Sequence, residues 1–179
     1  ERLWEWSGEG ALPIVIDAAS CTQGVAEPGE GVLEEANAER LGELEILDSV
    51  AWAHDRLLPW LEIPDKVGSA TVHPTCATRH MGLAGRLRAL ADALAEEVVV
   101  APSATCCGFA GDRGISHPEL TASATKDEAG EVAGAERASD GRAFDAYLSS
   151  NRTCEIGLDR ATGRDYESVI NALERATRR

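Results

Sequence analysis

The sequence predicts an α/β fold, namely a Rossmann-like parallel sheet of about four strands with helices on both faces. Short apolar runs alternate along the chain with segments of helical periodicity, which is the pattern of a parallel sheet. Each cysteine also follows a predicted strand, so the carboxyl ends of the strands share one type of side chain. The 179 residues suffice for one domain with a hydrophobic core. We therefore expect a single domain over residues 1–179, with residues 1–11 as a peripheral segment.

Four short runs are the predicted strands, at residues 12–16, 69–73, 97–101 and 145–149. The third run contains Val98, Val99 and Val100, which suit a central parallel strand because β-branched side chains pack well on a sheet buried on both faces. Each run is followed by a segment with helical spacing. No internal repeat is apparent in the sequence.

The predicted helices are placed by apolar spacing and by end signals. In residues 82–95, leucines at 83, 87, 90 and 94 form one stripe. A capping box starts the helix predicted at residues 116–128. The remaining predictions are helices at 43–58 and 165–176, a short helix after Cys154 that breaks at Gly163, and a loop at 130–141.

Two adjacent thiols, Cys106 and Cys107, are the strongest chemical signal in the chain. A disulfide between neighbouring residues is strained, so a group that binds both sulfurs explains the pair better. Iron or zinc could bind both sulfurs, because thiolates are soft ligands that both metals accept. Gly108 and Gly111 follow, and we expect them to line the bound cofactor, since glycine lets the backbone approach a ligand closely.

The other cysteines are expected to join this loop, because in an open α/β sheet the carboxyl ends of the strands meet in one crevice. A set of four thiolates is available from Cys76, Cys106, Cys107 and Cys154, with Cys21 as a further metal ligand. Their spacing is not that of a zinc ribbon, which uses close pairs. His73 leaves three interpretations open: a metal ligand, a donor to a ligand, or a strand-end histidine bonded to backbone.

Charge and cysteine number exclude several classes of function. The formal net charge of −14 argues against nucleic-acid binding, which needs a basic face. No apolar run approaches the roughly 20 residues of a transmembrane segment. Five cysteines cannot all pair within one chain, which favours metal or redox use in a reducing compartment. We therefore expect a cytoplasmic location. A thiol–disulfide role for Cys106 and Cys107 remains open.

Four stretches of the sequence resemble the cysteine-rich CCG domain, which is found in heterodisulfide reductases and in the iron–sulfur subunits of glycolate and lactate oxidases. The matching stretches are HPTC at 73–76, CCGFAGDRG at 106–114, PEL at 118–120 and SSNRTCEIG at 149–157. The chain is most similar to the C-terminal part of fused proteins with FAD and iron–sulfur centres, the D-lactate or D-2-hydroxyglutarate dehydrogenases. The likeness covers about residues 12–177.

The resemblance implies an electron-transfer domain of a FAD-linked D-2-hydroxyacid dehydrogenase. It implies metal ligands at Cys76, Cys106, Cys107 and Cys154, which would hold an iron–sulfur cluster of the 4Fe-4S type or zinc. Cys21 resembles the closing cysteine of an upstream repeat. FAD and substrate would bind in an upstream domain of the same polypeptide, so this part alone is expected to be inactive.

The resemblance also suggests partners. The expected partners are the flavin domain and an electron acceptor, either quinone or another carrier, and a homo-oligomer is possible. Quinone as acceptor is compatible with a peripheral position at the inner face of the membrane. The alternative is a zinc-binding or metal-free domain that docks on the same oxidoreductase and stabilises it.

Overall fold

In the computed structural model, which describes residues 1–178, the strands form two separate parallel sheets. The bounds of the strands are β1 (Ile14–Ile16), β2 (Ile46–Asp48), β3 (Val67–Val72), β4 (Ala95–Val99), β5 (Ala146–Ser149) and β6 (Tyr166–Ser168). The main sheet has the order β4-β3-β5-β6, and β1 pairs with β2 alone. The predicted four-stranded parallel sheet is therefore confirmed.

Helices connect the strands and cover the sheet. Their bounds are α1 (Arg2–Trp6), α2 (Ala19–Ala26), α3 (Glu35–Glu43), α4 (Ser49–Trp52), α5 (Cys76–His80), α6 (Ala84–Leu94), α7 (Arg113–Ser116), α8 (Pro118–Ala138), α9 (Arg152–Thr162) and α10 (Val169–Thr177). A π-helical turn at Ala53–Leu57 and a 3-10 turn at Leu58–Trp60 extend α4. Within residues 1–178, none of the helices combines the length and the apolar character that crossing a bilayer requires.

The main sheet carries helices on both faces, as the sequence predicts. One face is apolar: Val72 of β3 and Leu148 of β5 are buried in a cluster with side chains of α4, α6 and α10. The opposite face is covered by α8 and α9, where Tyr147 packs with Val132 and Leu158. This second face also buries polar side chains, including Thr71 and Glu128.

The membership of the main sheet differs from the prediction at two strands, β1 and β6. The predicted strand at 12–16 pairs with β2 outside the main sheet, and the fourth member of the main sheet is β6, in a segment predicted as helix. Both β2 and β6 have three residues and end in a residue that caps the next helix. Asp48 accepts a hydrogen bond from the Val50 amide, and Ser168 accepts one from the Ile170 amide. Strands of three residues are too short to show a period-2 pattern. The helical spacing of the residues that follow therefore predicted helix over the strand residues as well.

Helix α8 runs ten residues beyond its predicted end at residue 128, because it continues to Ala138. Residues 130–141 are small, charged and weakly patterned, which predicted a loop with possible helical turns. The buried side chain of Val132 stabilises this part of the helix by packing against the sheet.

The two ends of the chain have a related but not identical succession of elements. The first unit is β1, α2, α3, β2, α4 and the second is β5, α9, β6, α10, so α3 has no counterpart in the second. A cysteine lies in the first helix of each unit, Cys21 in α2 and Cys154 in α9.

Candidate metal centre

Four of the five cysteines lie in the connections that leave the carboxyl ends of the main-sheet strands. Cys76 follows β3, Cys106 and Cys107 follow β4, and Cys154 follows β5. The order β4-β3-β5-β6 makes the chain leave β3 and β5 in opposite directions, which creates a switch point between them. Ligand sites of open α/β sheets lie at such points. The topology thus gathers four thiols at the place where a ligand is expected.

Cys76 begins α5 and faces the Cys106 loop. Thr75 caps this helix by accepting a hydrogen bond from the Thr78 amide at 3.1 Å. Arg79 donates to the Ala104 carbonyl at 2.6 Å, which ties α5 to the loop. The pKa of Cys76 is raised by desolvation and by the charge of Cys106, so these two thiols lie within electrostatic reach of each other. Both are exposed, which leaves this side of the centre open to solvent.

Cys107 and Cys154 form the buried side of the centre, with their Sγ atoms 2.8 Å apart. The hydrogen bond from Cys154 lowers the pKa of Cys107 to about 6, although burial opposes the shift. Amide hydrogen bonds of the loop also favour the thiolate. The pKa of Cys154 is raised by the same hydrogen bond and by desolvation. The pair therefore shares one proton, which stays on Cys154 while Cys107 carries the charge.

The thiols are close together but not arranged as a finished coordination sphere. Among residues 1–178, no group of three or more histidine, cysteine, aspartate or glutamate side chains has the geometry to hold a metal ion. Two sulfurs bound to one zinc at about 2.3 Å would lie about 3.8 Å apart in a tetrahedron, farther than the 2.8 Å between Cys107 and Cys154. The donor set fits a thiophilic metal, and binding would require these two sulfurs to separate.

Cys21 is placed differently from the other four. It is exposed on α2, which follows the smaller sheet. This helix touches the loop before Cys154, because Ser20 Oγ donates to Asn151 Oδ1 at 3.3 Å, and Asn151 Nδ2 lies 3.7 Å from Cys154 Sγ. The predicted role of Cys21 as a ligand stays a prediction, as do the ligand roles of the four gathered thiols.

Comparison with protein families matches residues 70–159 to a cysteine-rich domain model named CCG. The matched region starts in β3 and ends in α9, so it contains the four gathered thiols and leaves out Cys21. The chain belongs to the CCG family. CCG domains commonly bind a metal or an iron–sulfur cluster. No curated protein matches the chain.

In this CCG domain, Phe109 anchors the loop that carries the paired thiols. Its ring is 1% exposed, and its carbonyl accepts a hydrogen bond from the Gly114 amide at 2.8 Å. The guanidinium of Arg160 in α9 lies 5.8 Å from the ring centroid. The loop is thereby fixed against α9, the helix that carries Cys154.

Gly108 and Gly111 were expected to line the cofactor, and the structure gives them different surroundings. Both have positive φ, +65° and +75°. A Cβ on Gly108 would meet Ala124 Cβ at 2.7 Å and Leu120 O at 2.9 Å, whereas one on Gly111 would meet nothing within 4 Å. Close packing against α8 therefore requires glycine at position 108. Contact of either glycine with a cofactor stays a prediction.

We expect Gly108→Ala to lower the free energy of unfolding by about 3 kcal/mol and Gly111→Ala by about 1 kcal/mol. Both variants carry the strain of a positive φ, about 1–2 kcal/mol, and Gly108→Ala adds overpacking against α8, typically about 1–3 kcal/mol. Urea denaturation of the metal-free proteins measures both values. An equal loss of unfolding free energy in the two variants would show that the contact of Gly108 with α8 does not contribute to stability.

A buried histidine and a buried glutamate form a pair at the carboxyl end of β3. His73, just past β3, is fully buried, and its Nδ1 lies 2.8 Å and 2.9 Å from the two carboxylate oxygens of Glu128 in α8. The sequence analysis identified His73 as a candidate residue but not Glu128, because the predicted helix ends at residue 128. Thr121, Thr125, Glu128 and Val132 share the buried face of α8. That spacing is the signal that could have revealed a carboxylate on a buried stripe.

Proposed function

We propose that this CCG domain is the electron-transfer module of a FAD-linked D-2-hydroxyacid dehydrogenase, with an iron–sulfur cluster of the 4Fe-4S type bound to its thiols. The observation that carries the proposal is the gathering of Cys76, Cys106, Cys107 and Cys154 at the switch point of the sheet. Thiolates are the usual ligands of such clusters, which supply one-electron transfer when bound. The likeness in sequence to the C-terminal part of D-lactate and D-2-hydroxyglutarate dehydrogenases supports the flavin partner.

The chain's own residues would tune such a centre. The Cys107 thiolate is already favoured at neutral pH, so this ligand needs no proton removed before binding. Amide groups of the loop donate toward the sulfurs: the Gly108 amide lies 3.4 Å from Cys106 Sγ. Cys76 and Cys106 are exposed, which gives an electron donor or acceptor access to one side. In this proposal the donor is the flavin of an upstream domain, and the acceptor is quinone or another carrier.

The test is anaerobic reconstitution with iron and sulfide, followed by metal and sulfide analysis. We expect the parent to bind iron and sulfide, Cys106→Ser to lose most of both, and Cys21→Ser to retain most. Cys21→Ser is the matched control because it removes an exposed thiol outside the gathered set. Equal iron in Cys106→Ser and the parent would contradict the proposal. Zinc, or no metal, in protein prepared anaerobically would favour a structural domain that docks on the oxidoreductase.

A second function, a dithiol redox couple, is favoured by the 2.8 Å separation of the Cys107 and Cys154 sulfurs. In this reaction the Cys107 thiolate attacks one sulfur of a disulfide substrate and releases the other as a thiolate. Cys154 then gives up its proton and displaces the second substrate sulfur, so that Cys107 and Cys154 become a disulfide and the substrate, with one further proton from water, becomes two thiols. The structure pairs Cys107 with Cys154 rather than with Cys106. Reversible loss of two titratable thiols in metal-free protein, with Cys154→Ser blocking it, would support this function.

A further inference from the structure

One ring nitrogen of the buried histidine has no partner. His73 Nε2 is buried and makes no hydrogen bond with any group in the described part of the chain, although Nδ1 is held by Glu128. A buried polar atom without a partner costs free energy. Native structures rarely tolerate one unless an ion, a water molecule or a catalytic role accounts for it. The nitrogen therefore indicates a partner that the polypeptide itself does not supply.

The backbone of His73 is fixed at the edge where the thiols gather. Its amide donates to the Leu148 carbonyl at 2.8 Å, and Ser149 Oγ donates to its carbonyl at 3.3 Å. Three residues further on, Cys76 begins α5. The imidazole is thus attached to the carboxyl ends of the two strands that flank the switch point.

Helix α8 borders both the histidine and the buried thiols. Glu128 of this helix holds the imidazole, and Thr121, seven residues earlier, lies against Gly157 beside Cys107. A Cβ on Gly157 would meet Thr121 Cγ2 at 2.9 Å and Cys107 Cβ at 3.7 Å. Helix α8 therefore contacts both the imidazole and the residues that flank Cys107.

The hydrogen bond to Glu128 prepares the other nitrogen for ligation. With a carboxylate at Nδ1, the ring proton of a neutral imidazole is held there, and the lone pair of Nε2 is left free. Metal-binding histidines commonly have this arrangement, in which a carboxylate fixes the tautomer and raises the basicity of the ligand.

We propose that His73, oriented by Glu128, is a nitrogen ligand of the metal centre that the CCG thiols form. The inference rests on the proposed function, since it requires a metal at this site. It makes the donor set mixed, with the imidazole in place of one of the four thiolates, because a 4Fe-4S cluster has one protein ligand for each iron. In iron–sulfur centres, exchange of thiolate for imidazole raises the reduction potential, so the ligand would also shift the potential of the module upward.

The test uses protein in which only histidine carries nitrogen-15, reconstituted anaerobically with iron and sulfide and then reduced. Pulsed electron paramagnetic resonance reads the hyperfine coupling between the iron spin and the labelled nitrogen. We expect the strong coupling of a directly bound nitrogen in the parent and in His80→Ala, and its loss in His73→Ala with iron still bound. His80 is a matched control because it is exposed on α5, the helix that Cys76 begins.

The outcomes separate the two proposals. Iron in the parent with no histidine coupling, or with only the weak coupling of a hydrogen-bonded nitrogen, would overturn ligation by His73 and leave the electron carrier standing. Failure of the parent to take up iron would overturn both. If His73→Ala does not fold, the labelled parent still decides, because His54→Ala, His80→Ala and His117→Ala must each retain the coupling.

Discussion

Glu128→Ala is expected to lower the free energy of unfolding of the metal-free protein by about 3 kcal/mol. The carboxylate is 3% exposed and accepts from His73 Nδ1 with both oxygens. Its removal leaves His73 Nδ1 buried without a partner, in addition to Nε2, which has none in the parent. A newly unsatisfied buried group costs about 1–3 kcal/mol, and the cavity left by the shortened side chain adds to that cost. Urea denaturation followed by circular dichroism measures the loss.

Two variants in the same helix sharpen this experiment. Asp127→Ala removes an exposed carboxylate one residue away and is expected to change stability by less than about 0.5 kcal/mol. Glu128→Gln keeps an oxygen that can accept from Nδ1, so we expect it to lose less than half as much as Glu128→Ala. A Glu128→Ala protein as stable as Asp127→Ala would mean that the buried pair contributes nothing to folding.

Glu128 lies in a polar layer that distinguishes the two faces of the sheet. On the face of α6 and α10 the buried side chains are aliphatic, whereas under α8 the sheet presents Thr71, His73 and Tyr166. The pKa of Tyr166 is raised by burial and by the charge of Glu128, and its hydroxyl is buried without a hydrogen-bond partner among residues 1–178. Buried polar groups reduce stability unless they are satisfied. The buried polar side chains are thus concentrated on the face of the sheet that α8 covers.

The sequence predicted those parts of the fold that depend on local pattern. The leucine stripe of α6 repeats at the helical period, and the β-branched run around Val98 does form a strand. The prediction that this strand is central was wrong, because β4 lies at the edge of the sheet and pairs only with β3. The gathering of the cysteines followed from topology alone, since parallel strands bring their carboxyl ends to one edge. Neither inference required any knowledge of side-chain contacts.

The parts that sequence could not predict depend on long-range pairing. Strands β2 and β6 are too short to show a period, and only their partners β1 and β5 define them. The contact between Cys107 and Cys154 joins residues 47 apart in the sequence, and that between His73 and Glu128 joins residues 55 apart. Which of several thiols or carboxylates will meet is decided by the packing of α8 and α9 on the sheet, which no local pattern contains.

Cys154→Ala is expected to abolish the acidic phase of the thiol titration in the metal-free protein, namely the ionisation of Cys107 at a pKa of about 6. In the parent, the hydrogen bond from Cys154 lowers the pKa of Cys107 to about 6 from its ordinary value of 9.0. Without that donor, burial is the main remaining influence, and the pKa of Cys107 should rise to its ordinary value or above. The ionisation constant therefore changes by a factor of about 1,000, since each pKa unit is tenfold. Ultraviolet absorbance of the thiolate, followed against pH under anaerobic conditions, measures the change.

The same pair gives the stability of the metal-free protein a defined pH dependence. Because the folded-state pKa of Cys107 is depressed, its contribution is complete above pH 9.0 and is lost as pH falls toward 6. The pKa of Cys154 is raised, so its contribution is complete below pH 9.0 and is lost as pH rises further. The contribution of the pair should therefore increase from pH 6, peak near pH 9 and then fall. Cys21→Ser should keep both the acidic phase and this maximum, and their survival in Cys154→Ala would contradict the shared proton.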